Sequence, residues 1–534
     1  MFKAIKNKPI IYYNLLLLIL FTFILFIRPT IIGTDIFYHL KISQLFNTDG
    51  LNVINELPWF QYTSWSLFPA DLSLGYHLLL YPLLLFLNPI IAVKILVLIL
   101  LLFFINFFIF FLKKLDIKNH TLWLTLLLFS SSIFFFRLFI SRPFLISIIL
   151  TLIILYAVHN KKFGLLFFSS TIYCLSYAGW LQIFIIIIIY TVIEWLFTKK
   201  LYLKYYTYPL LALILTLIIR PDFPNIVILN FQQTFDLLYL NLINAGVAVG
   251  QEQAHASLTF FQDTFLVSFM IIICGILTIY LKKKIASMNE KILLYTLFIL
   301  AIFYGLWTIE SIRFIEYFVP FTILLTAHTF TLLKKSLVSY EQQNLINDFK
   351  KYIRKPVFKA LLILTFFSLI FLPVKKAYLG YKNACPISRY QQTAEWLENN
   401  TPEKSIVFHT AWDAFPRLFF HNHHNYYIVG LDPTFMYLYD KNLYWLWRNI
   451  TEKSIACNAP ADLIDLDDLT ASGCMAEQRQ PAMIAQTIKT QFNSEYIWIN
   501  DYFIYQDFKK FLEASPEFFE KKIETDDSSV FKIK

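Results

Sequence analysis

Long apolar runs dominate the chain up to about Val374, with short polar stretches between them. A membrane-crossing helix needs about 20 predominantly apolar residues. On that measure the pattern predicts about eleven spans. They are Ile10–Ile27, Ile90–Leu112, Leu122–Ile140, Phe144–Val158, Phe163–Gly179, Leu181–Phe197, Tyr205–Ile219, Thr264–Leu281, Ile292–Ile309, Phe314–Leu333 and Val357–Val374. Ser73–Leu87 is apolar but short, and Asn88-Pro89 breaks it from the next run. It is predicted as a half-buried helix in an external loop. Beyond Val374 the period changes. Ser388–Asn400, Trp412–Phe420, Thr434–Ile450 and Pro481–Phe492 read as helices. Ser405–His409, Tyr426–Gly430 and Glu495–Ile499 read as strands, and Phe518–Ile533 as a hairpin turning at Asp526–Ser529. The predicted fold class is a polytopic α-helical membrane domain, residues 1–375, followed by a mixed α/β domain, residues 376–534.

Composition supports this reading: 57% of residues are hydrophobic and 15% charged, which a soluble globular chain does not need. The net charge of +10 could suggest nucleic acid. The lysines, however, sit in clusters between apolar runs, where they set topology. These are Lys3/Lys6/Lys8, Lys113/Lys114/Lys118, Lys161/Lys162, Lys199/Lys200/Lys204, Lys282–Lys284 and Lys334–Lys355. All fall on one face if Ser73–Leu87 does not cross. The positive-inside rule then makes the N-terminus cytoplasmic, and an odd number of spans makes the α/β domain extracytoplasmic. The main external loops are residues 29–89 and 220–263. No small-residue cleavage site follows the first apolar run, so it reads as an uncleaved helix. The Lys-, Ile- and Phe-rich composition points to a bacterial inner membrane. Cys457 and Cys474 could form a disulfide outside the cytoplasm, but sequence alone cannot pair them. His421, His423 and His424 share no helix face and read as a polar loop rather than a metal cluster.

Candidate chemistry collects on the external face. Asp35, in Gly33-Thr-Asp-Ile-Phe-Tyr-His-Leu40, lies just beyond the first span. Arg142, Arg220, Asp222, Glu252 and Arg313 also stand near predicted membrane ends, where ionisable groups are costly unless paired or used. Arginine suits phosphate because its planar fork donates two parallel hydrogen bonds. A carboxylate beside a membrane-held phosphate can hold a divalent cation or activate a nucleophile. Blander readings stand beside these. Arg142 could snorkel at the interface, and Arg313 could pair with Glu310 or Glu316. Trp412 could be core and Asp413 a helix cap.

The order of these features resembles the catalytic subunit of oligosaccharyltransferases, within the GT-C class of lipid-phosphate-dependent glycosyltransferases. Glu395-Trp-Leu-Glu-Asn-Asn-Thr-Pro402, a strand, then Thr410-Ala-Trp-Asp-Ala-Phe415 is similar to the family's "WL-x-x-NTP … WWDYG" segment. Its second Trp and Asp fall on Trp412 and Asp413; Ala411 replaces the first Trp, and Ala414-Phe415 replaces Tyr-Gly. The resemblance implies acceptor binding by Trp412 and Asp413. Thr34–His39 resembles the first-loop aspartate motif, which implies metal or acceptor binding by Asp35. Val247–His255 resembles the late loop that carries a catalytic Glu, here Glu252. Ser311–Phe314 resembles the turn whose Arg, here Arg313, holds the lipid pyrophosphate. The second-loop motif departs, because Ile140-Ser-Arg-Pro-Phe144 carries Arg142 but no acid. Mg2+ or Mn2+ is thus an expected cofactor with two expected ligands missing.

The function expected is transfer of a sugar or oligosaccharide from a polyprenyl-(pyro)phosphate carrier to an extracytoplasmic protein, lipid or envelope glycan. Asp35 and Glu252 would be catalytic, Arg313 and Arg142 would bind donor phosphate, and Trp412 and Asp413 would bind acceptor. The partners are the lipid-linked donor, the acceptor and membrane lipid, with no nucleic acid. The alternatives are a transporter, against which few charges lie deep in the spans, or an inert relative acting as a binding or assembly subunit.

Overall fold

The computed structural model describes residues 8–534 except 244, 249, 338–354 and 467–468. Lys3, Lys6, Lys350 and Lys351 therefore lie outside the described residues. The chain divides into two compact units. The first comprises residues 1–32, 90–216 and 251–384; the second comprises 33–89, 217–250 and 385–534.

The first unit is helical. Among the described residues five helices are long and apolar enough to cross a membrane, all in this unit: Pro89–Lys114 (but for its first residue), Leu258–Leu281, Met288–Glu310, Ile312–Ser336 and Pro356–Lys382. A sixth arises if the bent pair His120–Phe129 and Ser132–Leu138 counts as one span. The remaining apolar helices are shorter, such as Phe144–His159, Phe163–Ser176 and Gln182–Thr198. A 16-residue helix rises only about 24 Å, less than the hydrocarbon thickness of about 30 Å. By length and composition, five or six helices among the described residues qualify as spans, and the other apolar runs form shorter helices.

One predicted span, Leu122–Ile140, is not a single helix. It bends by 91° at Ser130-Ser131. The reason is local chemistry. The Ser131 hydroxyl accepts from the Phe134 N–H. The Asp263 carboxylate accepts from the backbone N–H of Ser132 (3.0 Å) and Ile133 (3.1 Å). A new helix N-terminus is thereby capped inside an apolar run, and the carboxylate also meets the positive end of its dipole. Arg137 is carried on that second, reoriented piece.

In the second unit a five-stranded sheet has the order β2-β1-β3-β5-β4. The strands are β1 Ile406–His409, β2 Tyr426–Tyr427, β3 Ser494–Asn500, β4 Phe519–Glu524 and β5 Ser528–Ile533. β1 pairs in parallel with β2 and β3, whereas β5 runs antiparallel to β3 and β4. The first loop extends this sheet: Phe60 bridges Tyr427, and Gln61 N–H donates to Tyr427 O. The strand expected at Tyr426–Gly430 covers only Tyr426–Tyr427, and the chain turns beyond it at Leu431, with φ of 61°. The helix expected over Thr434–Ile450 is two, Thr434–Tyr439 and Lys441–Lys453. Asp440 stands between them and caps the second by accepting from the Asn442 and Leu443 N–H groups. Ser73–Leu87 forms a helix over Leu74–Leu84, at 11 residues too short to cross a bilayer. Cys457 and Cys474 are joined by a disulfide, and Ile455 and Ile464 pack around it.

Candidate functional site

In the first unit three arginines surround one carboxylate. Glu252 lies in a single turn, Gln251–Gln253, just before the helix Leu258–Leu281. Its backbone is held against the turn that ends Met288–Glu310. The Ala256 N–H donates to Ile309 O (2.8 Å), the Ile312 N–H to Ala254 O (3.2 Å), and the Ser311 hydroxyl to Glu252 O (3.4 Å). The Glu252 Oε2 atom accepts from Arg142 Nη1 at 2.6 Å and from Arg137 Nη2 at 3.3 Å. Arg313 Nη1 stands 4.0 Å from Oε1. Arg313 is oriented from the other side, because its Nη2 donates to the Tyr177 hydroxyl at 2.7 Å. Burial by itself would raise the Glu252 carboxyl; Arg142, Arg313 and Arg137 outweigh it and hold the group well below the usual carboxylate range. Glu252 is therefore ionised at neutral pH and is a poor proton acceptor there.

Arg137 has a second partner, Glu316. Its Nε donates to Glu316 Oε1 at 2.8 Å, and its Nη2 donates to the same oxygen. Glu316 is fully buried and Arg137 nearly so, at 7% side-chain exposure. The Glu252 side chain, at 20%, and Arg313, at 29%, are reachable from solvent. The arrangement is a buried ion pair that supports a partly exposed ring of guanidiniums.

Sequence reasoning singled out Glu252, Arg142 and Arg313, and the structure brings these three together. It passed over Arg137, which lay inside a predicted span, and considered Glu316 only as a helical partner for Arg313. The signal was present in part, since an ionisable residue within an apolar run is expensive unless it is paired.

The other candidates, Asp35, Trp412 and Asp413, belong to the second unit. Asp35 begins the helix Asp35–Leu45, where a carboxylate is favoured by the helix dipole, and Thr34 Oγ1 donates to it at 3.3 Å. That helix packs on Phe415–His421. Phe37 and Phe420 meet edge to face at 5.5 Å, and the Arg417 guanidinium stacks over Phe37 at 4.1 Å. Trp412 and Asp413 form the turn immediately before Phe415–His421. Asp413 accepts from the Tyr502 hydroxyl at 3.1 Å. Burial raises the Asp413 carboxyl despite that bond, and the nearby Asp35 charge adds to the effect.

A second polar network in this unit contains Arg220 and Asp222, which the sequence marked as costly charges, together with Asp71 and His77, which it did not. Arg220 and Asp222 pair through two hydrogen bonds, Nε to Oδ1 (2.8 Å) and Nη2 to Oδ2 (2.7 Å). Asp222 Oδ2 also accepts from the Asp71 N–H at 2.9 Å, and Arg220 donates to Asp71 O. The Asp71 carboxylate meets His77 Nδ1 at 2.6 Å, and His77 Nε2 meets His39 Nδ1 at 2.7 Å. An ionised Asp71 can only accept, so His77 Nδ1 carries a proton. In neutral His77 the Nε2 atom is then an acceptor, and His39 Nδ1 donates to it. Burial would raise Asp71, but His77 and Arg220 overcome this and hold it below the ordinary carboxylate value. The lowered value sets a sign. Stability from Asp71 is complete above its unfolded pKa of about 3.9 and is lost as pH falls through that value toward the lower folded one. Unfolding of the purified chain followed between pH 6 and pH 3 is expected to show an acid limb. Asp71→Asn should flatten that limb, and an unchanged limb would assign acid sensitivity to other carboxylates.

A family cation would need several hard ligands. Among the described residues, no group of three or more His, Cys, Asp or Glu could hold a metal ion. Glu252 is moreover enclosed by guanidiniums. No step below passes through a metal ion.

No protein-family model matches the chain, and no curated protein matches it by sequence. Solved structures do match. The Archaeoglobus fulgidus oligosaccharyltransferase in its apo form aligns with a TM-score of 0.58 and 12% identity, covering 92% of this chain and 69% of that one. The archaeal oligosaccharyltransferase AglB from the same organism, in complex with an inhibitory peptide and a dolichol-phosphate, aligns with a TM-score of 0.57 and 12% identity over 97% of this chain and 73% of that one. ArnT from Cupriavidus metallidurans, bound to undecaprenyl phosphate, aligns with a TM-score of 0.50 and 11% identity over 98% of both chains. The resemblance expected from short motifs thus holds across nearly the whole chain at the level of the fold. With its apolar helices and small C-terminal sheet, this chain is similar in fold to the oligosaccharyltransferase and to ArnT.

Proposed function

We propose that this protein is an integral-membrane glycosyltransferase that takes a sugar or oligosaccharide from a polyprenyl-(pyro)phosphate carrier and passes it to an extracytoplasmic acceptor. The observation that carries this reading is the convergence of Arg137, Arg142 and Arg313 on one carboxylate, in a fold whose solved members include complexes with dolichol-phosphate and undecaprenyl phosphate. Guanidiniums held at fixed positions stabilise negative charge as it develops on a leaving phosphate. Arg313, oriented by Tyr177, and Arg142 bind the donor phosphate. Asp35 receives the acceptor and takes its proton as the acceptor oxygen or nitrogen bonds to the anomeric carbon. The bond from that carbon to the phosphate oxygen breaks, and its electron pair leaves with the phosphate. Asp413 and Trp412 contribute to acceptor binding. Glu252, ionised and enclosed by cations, acts through charge rather than as a base.

With the shorter apolar helices counted as crossings too, about eleven spans, a cytoplasmic N-terminus and an extracytoplasmic C-terminal domain complete the proposal. Lysine placement supports it, and so does the Cys457–Cys474 disulfide, because disulfides persist in oxidising compartments. A bacterial inner membrane is the proposed location.

Mass analysis of glycans and glycoproteins from cells with and without the gene, repeated with Asp35→Asn, tests the reading. One glycoconjugate is expected to disappear in both. Loss in the deletion alone would make Asp35 structural. No change in either, with the protein expressed, would favour the transporter and inert-relative readings.

A further inference from the structure

The donor site proposed above already holds an anion, and that anion is part of the protein. Glu252 Oε2 accepts from two guanidiniums at once, Arg142 at 2.6 Å and Arg137 at 3.3 Å, with Arg313 near the other oxygen at 4.0 Å. Two arginines that converge on one oxygen present the arrangement a phosphoryl oxygen requires. We infer that the Glu252 carboxylate occupies the position of a donor phosphate oxygen in the absence of donor, and that Arg137 is a third guanidinium of that subsite. This inference rests on the donor-phosphate reading of the site.

Three features support it. First, the carboxylate is ionised, so it competes with phosphate as an anion rather than being a neutral spacer. Second, the backbone around Glu252 is fastened to Ile309, Ser311 and Ile312 by three hydrogen bonds. Exchange of carboxylate for phosphate therefore needs only rotation of the Glu252 side chain, which is 20% exposed, and no unfolding of its turn. Third, Arg137 is not released by that exchange, because Glu316 also holds it, through Nε and through the same Nη2 that reaches Glu252. The subsite keeps its shape when its internal anion leaves. The ligand class is a lipid-linked phosphate that offers at least one terminal or bridging oxyanion. An internal carboxylate also prevents three cations from facing one another when the site lacks donor, a repulsion that would otherwise oppose the fold.

The test uses the full chain in nanodiscs with undecaprenyl phosphate as the probe, its affinity measured for wild type, Glu252→Gln, Glu252→Asp and Arg313→Ala. Glu252→Gln keeps the shape and removes the competing charge, and should bind undecaprenyl phosphate about tenfold more tightly. Glu252→Asp retains the charge and should stay within about threefold of wild type. Arg313→Ala should weaken binding. If Glu252→Gln binds more weakly than wild type, the carboxylate organises the arginines and the inference is overturned, while the Arg313 result leaves the donor reading standing. If wild type binds no undecaprenyl phosphate and Arg313→Ala changes nothing, the donor reading itself falls.

Discussion

Arg313→Ala is expected to lower kcat/KM for transfer by roughly 10²–10³-fold, the loss typical of removing one preorganised donor to developing negative charge. The expectation rests on orientation as much as on charge. The Arg313 fork is aimed by its hydrogen bond to the Tyr177 hydroxyl at 2.7 Å, and it stands beside the carboxylate that occupies the anion position. A guanidinium held in this way needs no reorganisation when charge moves onto the leaving phosphate. Arg313→Lys should recover part of the rate, because a point charge remains but the planar fork is lost. Tyr177→Phe should fall between wild type and Arg313→Ala, since it frees the guanidinium without removing it. The rates are read as appearance of the glycoconjugate in membranes with matched protein levels. Full activity in Arg313→Ala would remove this residue from the donor site.

Arg137→Ala should act mainly on stability, by about 3–5 kcal/mol. Glu316 is fully buried and takes both of its charge-assisted hydrogen bonds from Arg137 on one oxygen. Removing Arg137 leaves an uncompensated carboxylate inside the helical unit, which is the costly way to break a buried pair. Arg137→Met combined with Glu316→Leu removes both charges and should restore most of the stability. Thermal unfolding of the detergent-solubilised chain separates the cases. If the double variant is as unstable as Arg137→Ala, the loss comes from packing, for instance from the Arg137 contact with the Phe144 ring. Recovery of stability without recovery of undecaprenyl phosphate binding would separate the two roles assigned to Arg137.

Much was legible in the chain itself. Apolar runs follow from the need to satisfy backbone groups inside a bilayer, and they marked the helical region. The period-two and period-3.6 patterns after Val374 placed most elements of the sheet unit, including the β4–β5 hairpin. Those signals are local, and local chemistry decides them. Arg142, Glu252 and Arg313 also stood out, because charges beside apolar runs are rare and costly.

Partnership was decided only in three dimensions. Arg137 looked like part of a continuous span until Asp263, 126 positions further along the chain from Arg137, capped the helix start at Ser132 and turned it. The Arg137–Glu316 pair joins residues 179 apart, and the Asp71–Asp222 contact joins residues 151 apart. Hydrogen bonds and ion pairs act over about 3 Å of space whatever the separation along the chain. The sequence determined that this protein has apolar helices, a mixed α/β unit and a few costly charges. The tertiary structure decided which charges neutralise one another, and placed Glu252 at the centre of an arginine ring.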